Sequence, residues 1–236
     1  MGGLSGPDEF GPGGRAAPPL LAYAARLSGR KAPGICVLNT ASGDDPAVGL
    51  RTYDLFAEIP GRVAHLQLFP MPNTADPEDL LLSQDVIFVG GGSVANMLAV
   101  WRVHRLDAIM RAAWQAGIVL SGVSAGAICW FTGGTTDSYG PGLRPFTDGL
   151  GLLPASYCPH YDSEPRRRPL YQSLVAGGVL PPGIACDDGA AAHYVDDDLA
   201  EIVADRPAAR GYRVDRSEGG GGAAENALDS RILTGE

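Results

Sequence analysis

Apolar runs punctuate the first two-thirds of the chain, at 34–40 (GICVLNT), 62–69 (RVAHLQLF), 85–91 (DVIFVGG) and 117–123 (GIVLSGV). They are apolar at nearly every position rather than at alternate ones. That pattern predicts strands covered on both faces, as in a parallel sheet. Between them, 45–59 (DPAVGLRTYDLFAEI) and 95–117 (ANMLAVWRVHRLDAIMRAAWQAG) carry apolar residues at helical spacing. Strand and helix alternating in this way predict right-handed crossovers with helices on both sheet faces. Beyond about residue 183 the texture changes. GIACDDGAAAHYV, DLAEIVAD and RGYRVDR are strand-like and separated by turns, which predicts an antiparallel extension. The expected fold class is α/β, a mostly parallel doubly wound sheet with a C-terminal antiparallel extension. No internal repeat and no Pro/Gly linker midway divides the 236 residues, so 1–236 is expected to form a single domain. Residues 1–16 and 216–224, the latter containing SEGGGGAA, are expected to be flexible.

Composition narrows the functional classes. Apolar residues at 45% are enough for a buried core, and a formal charge of −9 argues against nucleic acid or an anionic membrane as partner. No apolar stretch is long enough to span a bilayer, and MGGLSGPDEFGPGG lacks the charged-then-apolar pattern of a signal peptide. Met1-Gly2 opens like a myristoylation site, but Gly6 stands where a serine or threonine is wanted. Cys36, Cys129, Cys158 and Cys186 are scattered, with no C-x-x-C pair, and are expected as buried reduced thiols of a cytoplasmic protein.

Candidate chemistry centres on GIVLSGVSAGAICWF, residues 117–131. Ser124 follows an apolar strand and precedes a short helical stretch, and Gly122-Val123-Ser124-Ala125-Gly126 fits G-x-S-x-G. In a nucleophile elbow the serine takes a strained backbone conformation, and only small neighbours let strand and helix pack around it. The helix that follows is expected to aim its free N–H groups and positive dipole end at the hydroxyl. A tight turn with an incidental serine fits the same residues. A second motif, Gly90-Gly91-Gly92-Ser93, closes the preceding strand and opens another helix. Three glycines allow close backbone approach to a ligand and present N–H groups, and the G-K-[ST] of a P-loop is absent. With the two strands adjacent, the Gly92 and Ala125 amides would converge on one oxygen, as in an oxyanion hole.

A serine nucleophile needs a base oriented by a third group. His65 lies in a strand and His104 in an amphipathic helix, both expected to be structural or surface residues. His160, in SYCPHYDSE, follows a short apolar strand and a proline at the start of a loop, and is the better candidate; His193, in GAAAHYV, is the weaker one. For the acid, Asp188 or its neighbour Asp187 in ACDDG, or Asp137 in GGTTDSYG, all stand at turns. No H-E-x-x-H or other ligand spacing is present, so neither metal nor cofactor is expected.

With these elements in place the sequence resembles the peptidase E family, the aspartyl dipeptidases. These share a class I glutamine amidotransferase-like fold, a flavodoxin-like three-layer sandwich, with cyanophycinases. The resemblance rests on VGGGSVANML, GVSAGAICWF, SYCPHYDSEPRR and CDDG, in that order, over about residues 34 to 215. It implies serine peptidase chemistry on short peptides, with Ser124 as nucleophile, His160 as base, and Gly92 and Ala125 as oxyanion donors. The family's acid falls on Asp188, or alternatively on Asp137. Gly91, Ser93 and Arg166 fall at substrate-contact positions, Arg166 as the fork for an aspartyl carboxylate. The family's glycine loop continues with Asn-Thr where this chain has Ser93-Val94, and its first strand is not evident in MGGLSGPDEFGPGG. An α/β-hydrolase would carry its acid before its histidine, and a glutamine amidotransferase would carry cysteine where Ser124 stands. A serine esterase or a non-catalytic binding module of the same fold are the alternatives. A monomer or homodimer is expected.

Overall fold

The runs that are apolar throughout become interior strands. In the computed structural model, which describes residues 1–4, 17–217, 219 and 221–233, β1 (Gly34–Leu38) and β3 (Val86–Val89) are buried along their whole lengths. They are flanked by β2 (Arg62–Leu66) and β4 (Val119–Gly122), all parallel, in the order β2-β1-β3-β4. At the ends of this row, β2 and β4 are half-buried rather than covered on both faces. The chain falls into two compact units, one of Gly6–Gly126 and one of Met1–Ser5 with Ala127–Glu236.

In the first unit the helices are α1 (Pro19–Leu27), α2 (Pro46–Phe56), α3 (Pro77–Leu82), α4 (Val94–Val103) and α5 (Leu106–Gln115). Each of α1, α2 and α3 has proline in its first turn, where the missing N–H costs nothing. Asp45 caps α2 by accepting from the Ala47 and Val48 amides. The helical spacing over 95–117 is realised as two helices, because Arg105 takes a φ of 60° and so ends one and starts the other. The apolar spacing continues across that break and carries no sign of it.

The short α6 (Ala125–Ile128) bridges the unit boundary in sequence. The second unit then holds β5 (Phe131–Thr136), β6 (Arg144–Phe146), β7 (Leu153–Cys158), α7 (Arg167–Ala176) and β8 (Gly183–Cys186). It ends with β9 (Ala190–Val195), β10 (Asp198–Ala204), β11 (Gly211–Arg216), β12 (Ala223–Leu228) and β13 (Ser230–Ile232). One sheet runs β12-β11-β8-β7-β5-β6, parallel across β5, β7 and β8 and antiparallel at both edges. The other, β13-β10-β9, contains the antiparallel pair β9 and β10. Cys158, Tyr161, Tyr171, Val175, Leu180, Ala185 and Val214 form a buried cluster beneath α7.

The α/β class with a mostly parallel sheet and an antiparallel C-terminal part is thus the observed one. Within 216–224, Arg216 and Ala223 pair as the last rung of the β11–β12 hairpin, and the Ser217 amide donates to the Gly222 carbonyl. The flexibility expected at 5–16, 218 and 220 falls outside the described residues. All four cysteines are buried and outside any disulfide, and burial pushes the Cys36 and Cys158 thiols up to about 12. Among the described residues no helix is long and apolar enough to cross a membrane.

Candidate active site

A strand order of β2-β1-β3-β4 reverses direction between β1 and β3, and in open α/β sheets ligands collect at the carboxyl ends of the strands beside such a switch. Gly90, Gly91 and Gly92 leave β3 at that point. Gly92, with φ 137°, lies so close to the turn after β1 that a Cβ on it would stand 2.3 Å from the Ala41 carbonyl oxygen. The next amide, Ser93, donates to the same carbonyl at 2.8 Å. No side chain fits there. Ser93 itself caps α4, its Oγ accepting from the Asn96 amide at 3.2 Å.

One strand over, Ser124 follows β4 with a φ of 54°. Left-handed backbone at a non-glycine residue costs on the order of 1–3 kcal/mol and persists only where the surroundings impose it. Here they do so through backbone contacts. The Val123 amide donates to Val89 at 3.1 Å, and the Gly126 amide to Val123 at 2.9 Å, closing the turn around Ser124. A Cβ on Gly126 would meet the Val89 carbonyl oxygen at 2.2 Å, and one on Gly122 would meet the Gly126 carbonyl oxygen at 2.1 Å. The small residues around the serine are therefore required by the approach of this turn to β3. A Cβ on Gly91 would lie 3.3 Å from the Ser124 Cβ, so the glycine loop borders the serine directly. Among the described residues no backbone carbonyl accepts from the Gly92 or Ala125 amides. One expectation is corrected: α6 has only four residues, a single turn, too short for a helix dipole to act on the hydroxyl.

In the second unit, His160 follows β7 and Pro159 with a φ of 53°. Its Nδ1 lies 2.7 Å from Asp188 Oδ1. Asp188 sits in the turn Asp187-Asp188-Gly189 between β8 and β9, which belong to different sheets. Burial pushes the Asp188 carboxyl up, but hydrogen bonds from His160 and Ser163, with the charges of His160 and Arg206, outweigh it and hold the group below the ordinary aspartate range. An Asp188 carboxylate accepts from Nδ1–H, and in the neutral imidazole that tautomer makes Nε2 the acceptor a general base requires.

The other candidates are elsewhere. Asp187 is buried and turned to Arg210, whose amide it accepts at 2.9 Å, and burial raises its carboxyl. Asp137 is exposed in the turn after β5, its carbonyl accepting from Gly140. His193 Nδ1 lies 3.6 Å from Glu201 on the neighbouring strand. His65 packs edge-on against Tyr53 in β2, where burial lowers its basicity, and His104 ends α4. Of the three consecutive arginines, Arg167 is buried against Glu164 and the Thr135 carbonyl. Arg168 pairs with Glu225 between the rings of Tyr161 and Tyr212. Arg166 is exposed at the start of α7. Among the described residues no cluster of histidine, cysteine or carboxylate side chains is arranged to hold a metal.

Three residues at this site carried no sequence signal strong enough to single them out. Asp162 accepts from the Asp188 amide at 2.9 Å, and Arg206 donates to the Asp188 carbonyl at 3.0 Å and to Asp162 at 2.5 Å. Gly3 bridges to Asp188 as a one-residue parallel strand, and a Cβ on it would stand 2.1 Å from Asp188 Oδ1. Asp162 alone had a cue, its place two residues after the histidine.

Comparison with known proteins adds a family. The model of Peptidase family S51 matches residues 16–202, which include Ser124, His160 and Asp188. A protein of Bacillus subtilis (strain 168) named "Uncharacterized peptidase YgaJ" is 44% identical over 196 residues, covering 83% of this chain and 84% of that one. Peptidase E of Shewanella denitrificans is 31% identical over 143 residues, 57% of this chain and 60% of that protein. Among solved structures, a peptidase from an acI-B1 Actinobacterium superposes with a TM-score of 0.62 at 17% identity, covering 90% and 89% of the two chains. A putative peptidase E protein from Listeria monocytogenes EGD-e gives 0.50 at 16% identity, covering 89% and 93%. At those identities the structural likeness speaks for the fold.

Proposed function

Because this chain belongs to peptidase family S51 and is a peptidase, we propose that it hydrolyses short peptides through an acyl-enzyme on Ser124, with His160 as base and Asp188 as the orienting acid. The observation that carries this reading is the 2.7 Å pairing of His160 Nδ1 with Asp188, which in the neutral imidazole makes Nε2 the acceptor. The left-handed Ser124 beside the glycine loop supports the nucleophile's part.

In the proposed cycle His160 takes the Ser124 proton as the hydroxyl attacks the peptide carbonyl. The amides of Gly92 and Ala125 hold the oxyanion. His160 then returns the proton to the leaving amine, and water, activated by the same imidazole, releases the acyl group. For the substrate we propose a preference for an N-terminal aspartate, with exposed Arg166 meeting its carboxylate and Gly91 and Ser93 lining the approach.

The test is a panel of Xaa-Leu dipeptides with p-nitrophenyl acetate alongside, run on wild type, Ser124→Ala and Arg166→Ala. Ser124→Ala is expected to lose on the order of 10⁴-fold or more in kcat. Aspartyl substrates are expected to outrun asparaginyl ones in wild type but not in Arg166→Ala. Near-wild-type turnover by Ser124→Ala contradicts the nucleophile, equal turnover of acidic and neutral dipeptides removes the arginine fork, and turnover of the ester alone points to an esterase.

A further inference from the structure

Asp188 is held by more than the imidazole. The segment His160-Tyr161-Asp162 lies along Cys186-Asp187-Asp188 and is tied to it at each residue. His160 Nδ1 meets Asp188 Oδ1 at 2.7 Å, the Tyr161 amide donates to the Cys186 carbonyl at 3.2 Å, and Asp162 Oδ1 accepts from the Asp188 amide at 2.9 Å. The Glu164 amide closes the loop onto the His160 carbonyl at 3.1 Å. Arg206, from the turn after β10, grips both sides of the contact: Nε on the Asp188 carbonyl and a terminal nitrogen on Asp162 Oδ2.

We propose that Asp162 and Arg206 are positioning residues that hold Asp188 in register with His160. The need for such a device follows from the turn itself. Asp187 and Asp188 are adjacent carboxylates between strands of two different sheets, and rotating the turn by one residue would exchange the buried Asp187 for Asp188. A carboxylate accepting the Asp188 amide, and a guanidinium donating to its carbonyl, fix the peptide units on both sides of that residue. Because Arg206 spans both, the pair acts as one clamp, and its fork geometry is something lysine does not reproduce. Gly3 backs the same contact, its carbonyl accepting from the Gly189 amide at 3.0 Å.

The inference rests on the reading of His160 and Asp188 as base and acid, so its test has two parts. The first is kinetic. Asp162→Ala is expected to lower kcat about 10–100-fold, as a displacement of about an ångström does, with KM changed less than about twofold. Asp162→Asn, which keeps the acceptor for the Asp188 amide, is expected to recover most of that loss, and Arg206→Lys to fall between. The second part is a crystal structure of Asp162→Ala, or of Arg206→Ala should the first variant fail to fold. The His160–Asp188 separation is expected to open beyond about 3.5 Å, no longer a hydrogen bond. An unchanged separation in the variant overturns the clamp whatever the kinetics show. An opened separation with unimpaired turnover leaves the clamp standing and instead removes Asp188 from the catalytic set.

Discussion

Around Ser124 the fixing contacts are backbone against backbone: Gly122, Gly126 and Val89 approach so closely that no side chain fits between them. Around His160 they are charged side chains: Asp188, Asp162 and Arg206, joined by hydrogen bonds of 2.5 to 3.0 Å. The first region is set by shape. The second is set by charge, with Asp188 and Arg206 about a quarter exposed and Asp162 about a third. The two ought therefore to fail under different insults. Added volume should break the serine turn, where pH does nothing, and neutralised charge should disturb the histidine loop.

Of the effects that separate the two regions, the largest is expected from charge removal at Asp188, the proposed acid. Asp188→Asn should cost about 10²- to 10⁴-fold in kcat, because an amide no longer holds the imidazole in its working tautomer. Asp137→Asn should stay within about twofold, its side chain being exposed in a turn. Steady-state kinetics on the two variants decide this, and the reverse ranking moves the acid to Asp137. Next comes volume. Gly126→Ala places a methyl 2.2 Å from the Val89 carbonyl, so denaturant unfolding should show a loss of about 1–3 kcal/mol or more. Gly142→Ala, with nothing within 4 Å of its Cβ position, should stay within about 0.5 kcal/mol. Equal stability of the two variants would mean that close packing does not hold the serine turn.

The smallest effect is the pH dependence of folding. Asp188 is more acidic when folded than unfolded, so its contribution is full above the unfolded value of about 3.9 and is lost as pH falls through the lower folded value. The stability advantage of wild type over Asp188→Asn should therefore shrink as pH drops below about 4. Solvent screening of this partly exposed pair keeps that advantage to about 1 kcal/mol or less. An advantage that grows on acidification would give the shift the opposite sign.

What the amino-acid pattern revealed follows the same division. β1 and β3 are legible because strands covered on both faces admit almost only apolar residues. β5 (FTGGTT) and the edge strand β12 (AAENAL) carry no such run, since glycine and threonine, or half-exposed alternation, satisfy them equally well. The helix break at Arg105 is invisible because a left-handed residue between two amphipathic helices leaves their spacing intact. At the site, the tight turn at Ser124 was legible from its small neighbours, and the loop at His160 from its place after a strand and a proline. Which of Asp137, Asp187 and Asp188 pairs with His160 was not legible, because it depends on which residue of a two-aspartate turn faces the imidazole. Asp162 and Arg206 act through the backbone of another residue, and such a role leaves almost no trace in sequence.

The central claim is that Ser124 becomes acylated. Wild-type protein quenched in acid during turnover of an activated ester should gain the mass of one acyl group, located by peptide mapping on Ser124 and missing from Ser124→Ala. An adduct on any other residue, or one that persists unchanged in Ser124→Ala, would contradict the account.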